Sequence, residues 1–177
     1  MQTVLDYLRD HILLLDGGMG TLLQAAGLPA GTAPETWNLT HPDIVRSVHA
    51  AYYAAGSHVV STNTFGANLL HFDEEILPFI IRQSVRLARE AASAAPGDGP
   101  RFVALDVGPT GKLLKPYGDL EFEEAVRLFA RTIQIGSESG GLAERLACGI
   151  KNVPLTGSCS LLLCYQGCRH VLPPKKY

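Results

Sequence analysis

The chain has 177 residues, of which 46% are hydrophobic and 18% charged, the balance of an ordinary globular domain rather than a disordered or fibrous one. Its formal charge of -2 leaves no basic surplus with which to neutralise a phosphate backbone, so nucleic acid is not an expected partner. The apolar run Ile12 to Leu15 is too short for a signal-peptide core, and no stretch approaches the roughly 18 consecutive apolar residues that span a bilayer, so a cytoplasmic protein without a membrane partner is expected.

In chain order, Ile12 to Leu15 followed by Asp16-Gly17-Gly18 predicts a strand buried on both faces and closed by a tight glycine turn. Thr40-His41-Pro42-Asp43 has the form of a capping box and predicts a helix start. Ile44, Val45, Val48, Tyr52 and Ala55 continue at helical spacing until Gly56 supplies a left-handed stop. A β-branched strand over His58 to Thr62 then runs into the polar turn Asn63 to Asn68.

A second helix is expected from about Glu74 to Ala94, with Ile76, Ile80, Ile81, Ser84, Val85, Leu87 and Ala88 on or near one face and Pro78 confined to the first turn. A third strand over Phe102 to Leu105 ends at Asp106 and the turn Gly108-Pro109-Thr110-Gly111. A third helix, from about Leu120 to Gly136, carries Phe122, Val126, Phe129 and Ile133 on one stripe. Alternating strands and single-sided helices predict parallel βα units, in either a barrel or a doubly wound sheet. In both, functional residues gather at strand C-termini, where this chain repeatedly places polar or acidic residues beside glycine.

Beyond Leu142 the alternation fails. Leu142 to Ile150 can form at most a short helix, Pro154, Gly157 and Gly167 interrupt the rest, and Leu172 to Tyr177 reads as unstructured. All four cysteines, Cys148, Cys159, Cys164 and Cys168, fall in this tail. The gaps between the last three do not match the paired Cys-x-x-Cys of structural zinc, and the six histidines show no metal spacing, so no metal ligand is assigned. Gly17-Gly18-Met19-Gly20 fits neither the dinucleotide nor the P-loop pattern.

Three stretches taken together resemble the homocysteine S-methyltransferase family: Leu14 to Thr21; the block from Pro34-Glu35-Thr36-Trp37-Asn38-Leu39 through His41-Pro42 to Thr62-Asn63-Thr64-Phe65-Gly66-Ala67-Asn68; and Asp106 to Gly111. Asn38-Leu39-Thr40, Gly66-Ala67-Asn68 and Gly108-Pro109-Thr110-Gly111 are most similar to the homocysteine domain of cobalamin-dependent methionine synthases. The likeness covers about residues 11–141. It implies a (β/α)8 TIM-barrel type fold, here its first three to four βα units, with 1–141 as the N-terminal part of the barrel and 142–177 as an atypical tail.

The same resemblance implies transfer of a methyl group to homocysteine to give methionine. A zinc ion bound by three cysteines would hold the substrate thiolate, and the donor would be a small molecule or methylcobalamin on a cobalamin domain. Metal coordination deprotonates a thiol whose free pKa is near 8.5, which is why that chemistry needs a cation. Asp16 and Gly17 match the family's substrate-contacting turn, and Asn63 and Thr64 match a second turn facing the same site; helix capping is the alternative for the latter pair. A loop-shaping role is expected for Asp106, Gly108 and Thr110.

The family's Asn-Cys and Gly-Gly-Cys-Cys-Gly zinc motifs, and the Glu-Thr pair after the fourth strand, are absent from the sequence. The catalytic residues are therefore left unassigned, and a chain truncated or frame-changed near residue 141 is expected. Such a chain would be inactive alone and prone to self-association, or would be a non-catalytic half-barrel that assembles with itself or with a separate second half. Resequencing the locus for an intact frame tests the first of these.

Overall fold

The computed structural model describes residues 4–139, so the tail that holds the four cysteines, and the expectations placed on it, lie outside the described residues. Two parallel strands, β1 (Val59–Ser61) and β2 (Phe102–Ala104), pair with Val59 opposite Phe102, Val60 opposite Val103 and Ser61 opposite Ala104. The first predicted strand contributes a single parallel bridge, Leu15 to Val59, on the other side of β1. The spatial order is therefore residue 15, β1, β2.

The sheet is covered on both faces, as the alternation of side chains requires. On one face Val59, Phe102 and Ala104 pack with Val4 and Tyr7 of the short helix α1 (Val4–Tyr7) and with Leu13. On the other, Val60 and Val103 pack with Tyr53, Ala88 and Ala91. Those residues belong to α4 (Pro42–Ala54) and α5 (Leu77–Ala94), which pack closely on each other. Between the first strand segment and α4 lie α2 (Met19–Ala25), a 3-10 turn (Pro34–Thr36) and α3 (Trp37–Thr40). Finally α6 (Phe122–Glu138) packs on α5, with Ile135 against Leu77, Ile80 and Ile81.

Several sequence expectations need correction. Residues 12–15 are not buried on both faces: Ile12 is 81% exposed, Leu14 51% and Leu15 41%. Among the described residues the segment pairs only with β1, at the sheet edge, and Leu13 alone of the four joins a core cluster. The capping box at Thr40 does not form, because Thr40 Oγ1 donates back to the Thr36 carbonyl at 3.2 Å and lies 2.9 Å from His41 Nδ1. Asp43 pairs with Arg46 instead, and α4 starts at Pro42, which lacks the amide that a cap would satisfy. Helix α5 starts at Leu77 rather than near Glu74, leaving Ile76 outside it and 39% exposed, with Pro78 in the first turn as expected.

The buried face of α6 is rotated from the predicted stripe. It carries Ala125, Leu128, Thr132, Ile133, Ile135 and Gly136, whereas Phe122 is 59% exposed and Val126 and Phe129 are half-buried. Small residues permit the close approach: a Cβ on Gly136 would lie 2.4 Å from Leu105 Cδ2. Thr132 turns inward because its hydroxyl donates to the Ala67 carbonyl at 2.8 Å. Replacing Thr132 by valine strands that buried acceptor and is expected to cost about 1.5 kcal/mol, a fall of roughly 3–6 °C in Tm by calorimetry. An unchanged Tm would show that the bond is dispensable. No helix among the described residues is long and apolar enough to cross a membrane.

Candidate functional site at the strand ends

Parallel strands bring their C-terminal ends to one edge, where three loops meet: residues 16–18, 62–68 and 105–111. Asp16 joins the first two. Its Oδ2 accepts the Ser61 amide at 2.7 Å and its Oδ1 accepts the Ser61 hydroxyl at 3.0 Å. Burial raises the pKa of this carboxyl, and the donors from Ser61 pull it the other way. The following Gly17 has Tyr52 directly against it, since a Cβ there would lie 2.9 Å from the Tyr52 hydroxyl oxygen. That hydroxyl donates to the Gly18 carbonyl at 3.2 Å and so pins the glycine turn.

A threonine pair joins the second and third loops. Thr62 Oγ1 and Thr64 Oγ1 are 2.7 Å apart, Thr64 donates to the Asp106 carbonyl at 2.7 Å, and the Asp106 amide donates to Thr62 Oγ1 at 3.0 Å. Asn63 donates through Nδ2 to the Pro34 carbonyl at 2.8 Å and to Asn38 Oδ1 at 3.0 Å, while Asn38 Nδ2 donates to the Asn63 carbonyl at 2.8 Å. The side chains of Asn63 and Thr64 are thus engaged with the protein: they orient the loops, and neither caps α5, which begins well beyond them.

Two carboxyl groups stand out that sequence reasoning did not assign to the site. Asp106, expected only to shape a loop, has its carboxyl pushed up to about 7, first by burial and then by the negative charges of Asp16 and Glu35. Near neutral pH both its protonated and its ionised forms are therefore populated. Glu35 is buried and accepts the Gly66 amide at 2.6 Å. An acid between a proline and a tryptophan in the matched block was the available signal for it. Gly108 and Thr110 do have the expected structural roles: a Cβ on Gly108 would lie 2.4 Å from the Phe65 carbonyl oxygen, and Thr110 Oγ1 donates to the Lys112 carbonyl at 3.2 Å.

Among the described residues no group of three or more His, Cys, Asp or Glu side chains is arranged to hold a metal. The donors that the described residues bring to the strand ends are oxygens, with Asp16 and Glu35 already hydrogen-bonded to the protein, and no cysteine is among the described residues. This set does not fit the three-cysteine zinc site that the resemblance implies.

The homocysteine S-methyltransferase family profile matches residues 13–147. Methionine synthase of Mycobacterium tuberculosis is 35% identical over 121 residues, which cover 62% of this chain and 10% of that protein. Homocysteine S-methyltransferase of Escherichia coli is 35% identical over 119 residues, covering 60% of this chain and 38% of the relative. The crystal structure of the homocysteine methyltransferase MmuM from Escherichia coli superposes in its oxidized form with a TM-score of 0.66 at 28% identity, over 75% of this chain and 52% of that one. Its metallated form superposes at 0.65 and 26% identity over the same shares. The chain thus spans well under half of these curated relatives and about half of the solved structures.

Proposed function

This chain belongs to the homocysteine S-methyltransferase family, and from that premise we propose that its strand-end site receives the amino-acid portion of homocysteine. The observation that carries this reading is Asp16: a partly buried carboxylate at the end of the first strand segment, held rigidly by Ser61 beside a glycine turn. A carboxylate in that setting attracts the substrate ammonium, and Tyr52, packed against Gly17, holds the adjoining glycine turn in place. The hydrogen bonds of Asn63, Thr64 and Asn38 keep the neighbouring loops in place, so that little ordering is required when substrate arrives.

In the family reaction the homocysteine sulfur takes a methyl group from a donor, methylcobalamin in the branch that the sequence resembles. The described residues supply no sulfur ligands to activate that thiol. The proposal for this chain is therefore binding of homocysteine without methyl transfer by the chain alone. Calorimetric titration with L-homocysteine, paired with an assay for methionine in the presence of methylcobalamin, tests it. Saturable binding without methionine is expected. Absence of binding would remove the assignment of the site, and steady methionine formation would remove the claim of inactivity.

The finer architectural reading is that residues 1–141 form the first three to four units of a (β/α)8 barrel. It is supported by the parallel βαβ unit of β1, α5 and β2 and by the superposition on MmuM. A second reading, a half-barrel that associates with itself or with a separate second half, is favoured by the exposed edge at Ile12, Leu14 and Leu15. Light scattering after size exclusion should then show mass rising with concentration, or a complex with an added C-terminal half. A monomer at every concentration, indifferent to that half, counts against it.

A further inference from the structure

The segment Pro34 to Asn38 grips the 63–68 turn at two points. At one end Asn38 and Asn63 exchange amide hydrogen bonds, and Asn63 also donates to the Pro34 carbonyl. At the other, Glu35 Oε1 accepts the Gly66 amide at 2.6 Å. Glycine at residue 66 lets the carboxyl come this close, because a Cβ there would sit 2.9 Å from Glu35 Oε1 and push it aside. Phe65, between the two grips, accepts the Gly108 amide at 3.0 Å and passes the constraint to the third loop.

The chemical oddity is Glu35 itself. It is 4% exposed, and no salt bridge among the described residues engages it. Burying an ionised carboxylate without a cation is costly, and a neutral glutamine could accept the same amide hydrogen bond. Holding the turn does not by itself call for a charge. The charge is felt at the strand-end site, where its repulsion adds, after burial and Asp16, to the raised pKa of Asp106.

We propose that Glu35 is a positioning residue: its buried carboxylate clamps the 63–68 turn through the Gly66 amide and brings a fixed negative charge to the strand-end site, setting how that site receives the ammonium of an amino-acid substrate. The proposal rests on the homocysteine reading above for the identity of the substrate, but the clamp and the charge are properties of the unliganded chain.

The test uses the full chain with Glu35→Gln and Glu35→Ala. Glutamine keeps an oxygen for Gly66 and removes the charge; alanine removes both. Three readouts separate the roles: the Asp106 carboxyl titration by carbon-13 NMR, hydrogen exchange at the Gly66 amide, and the homocysteine dissociation constant across pH 5 to 8. In Glu35→Gln the Asp106 midpoint is expected to fall by about 0.5–1 unit, with Gly66 still protected and homocysteine bound about tenfold more weakly. In Glu35→Ala the protection of Gly66 is lost as well. An Asp106 midpoint unmoved in Glu35→Gln overturns the charge role, and full Gly66 protection in Glu35→Ala overturns the clamp. If alanine prevents folding, the glutamine variant alone decides the charge. If wild-type chain binds no homocysteine, the substrate reading fails, while the first two readouts still decide whether Glu35 acts as stated.

Discussion

Acidification from pH 7 to pH 4 is expected to remove about 3 kcal/mol of folding stability through His49 alone. His49 lies on the buried face of α4 with no exposed surface, and neither ring nitrogen has a hydrogen-bond partner among the described residues. Burial pulls its pKa down to about 4 from an ordinary 6.5. Between those values the unfolded chain binds a proton that the native state refuses. Stability therefore falls as pH drops through 6.5, and the loss is complete near 4.

The carboxyl groups at the strand ends act with the opposite sign. Asp106 is raised from 3.8 to about 7 and Asp16 is raised as well, so the native state holds these protons more tightly than the unfolded one. Their contribution is present at low pH and is lost as pH rises, for Asp106 across roughly 3.8 to 7. Urea midpoints measured at intervals from pH 4.5 to 7 on wild type and His49→Leu separate the two. The wild type should change little across this range, because the two opposed contributions nearly cancel, whereas the leucine variant should gain stability toward acid as the carboxyl groups act unopposed. Parallel pH profiles for the two proteins would mean that His49 is not the titrating group.

Much of this organisation is legible in the residues before any coordinates. The β-branched stretch at 58–62, the glycine stop at Gly56 and the early Pro78 each encode a local preference strong enough to survive packing, and the structure has all three. The gathering of Asp16, Asn63, Thr64 and Asp106 at one edge follows from parallel pairing. What sequence pattern does not encode is which partner a polar group chooses. Thr40 has the right spacing to cap α4 and bonds to Thr36 instead, and Thr132 sits on the inner face of α6 because a loop carbonyl waits there. Large apolar residues suggest the wrong stripe on α6, since contact with Leu105 is governed by the absence of a side chain at Gly136. Glu35 escapes notice for a related reason: burial of an acid depends on an amide 31 positions away.

Replacing Asp16 by asparagine is expected to weaken homocysteine binding roughly 10- to 100-fold, the worth of one hydrogen bond to a charged group. The substitution separates the two jobs of this side chain. An asparagine oxygen can still accept from the Ser61 amide, and its NH2 can donate to the Ser61 hydroxyl, so the tie between the strand ends is kept while the charge is lost. Asp16→Ala removes both, leaves the Ser61 amide without its acceptor, and should cost about 1–3 kcal/mol of stability in addition. Removing the charge also lowers the Asp106 pKa, because Asp16 is one of the two charges that raise it. Titration calorimetry and thermal melts on both variants give the comparison. If Asp16→Asn binds homocysteine as tightly as wild type, the carboxylate is a structural tie between strands and the ammonium is received elsewhere. If affinity falls while the melting temperature holds, charge rather than architecture is what Asp16 contributes to binding.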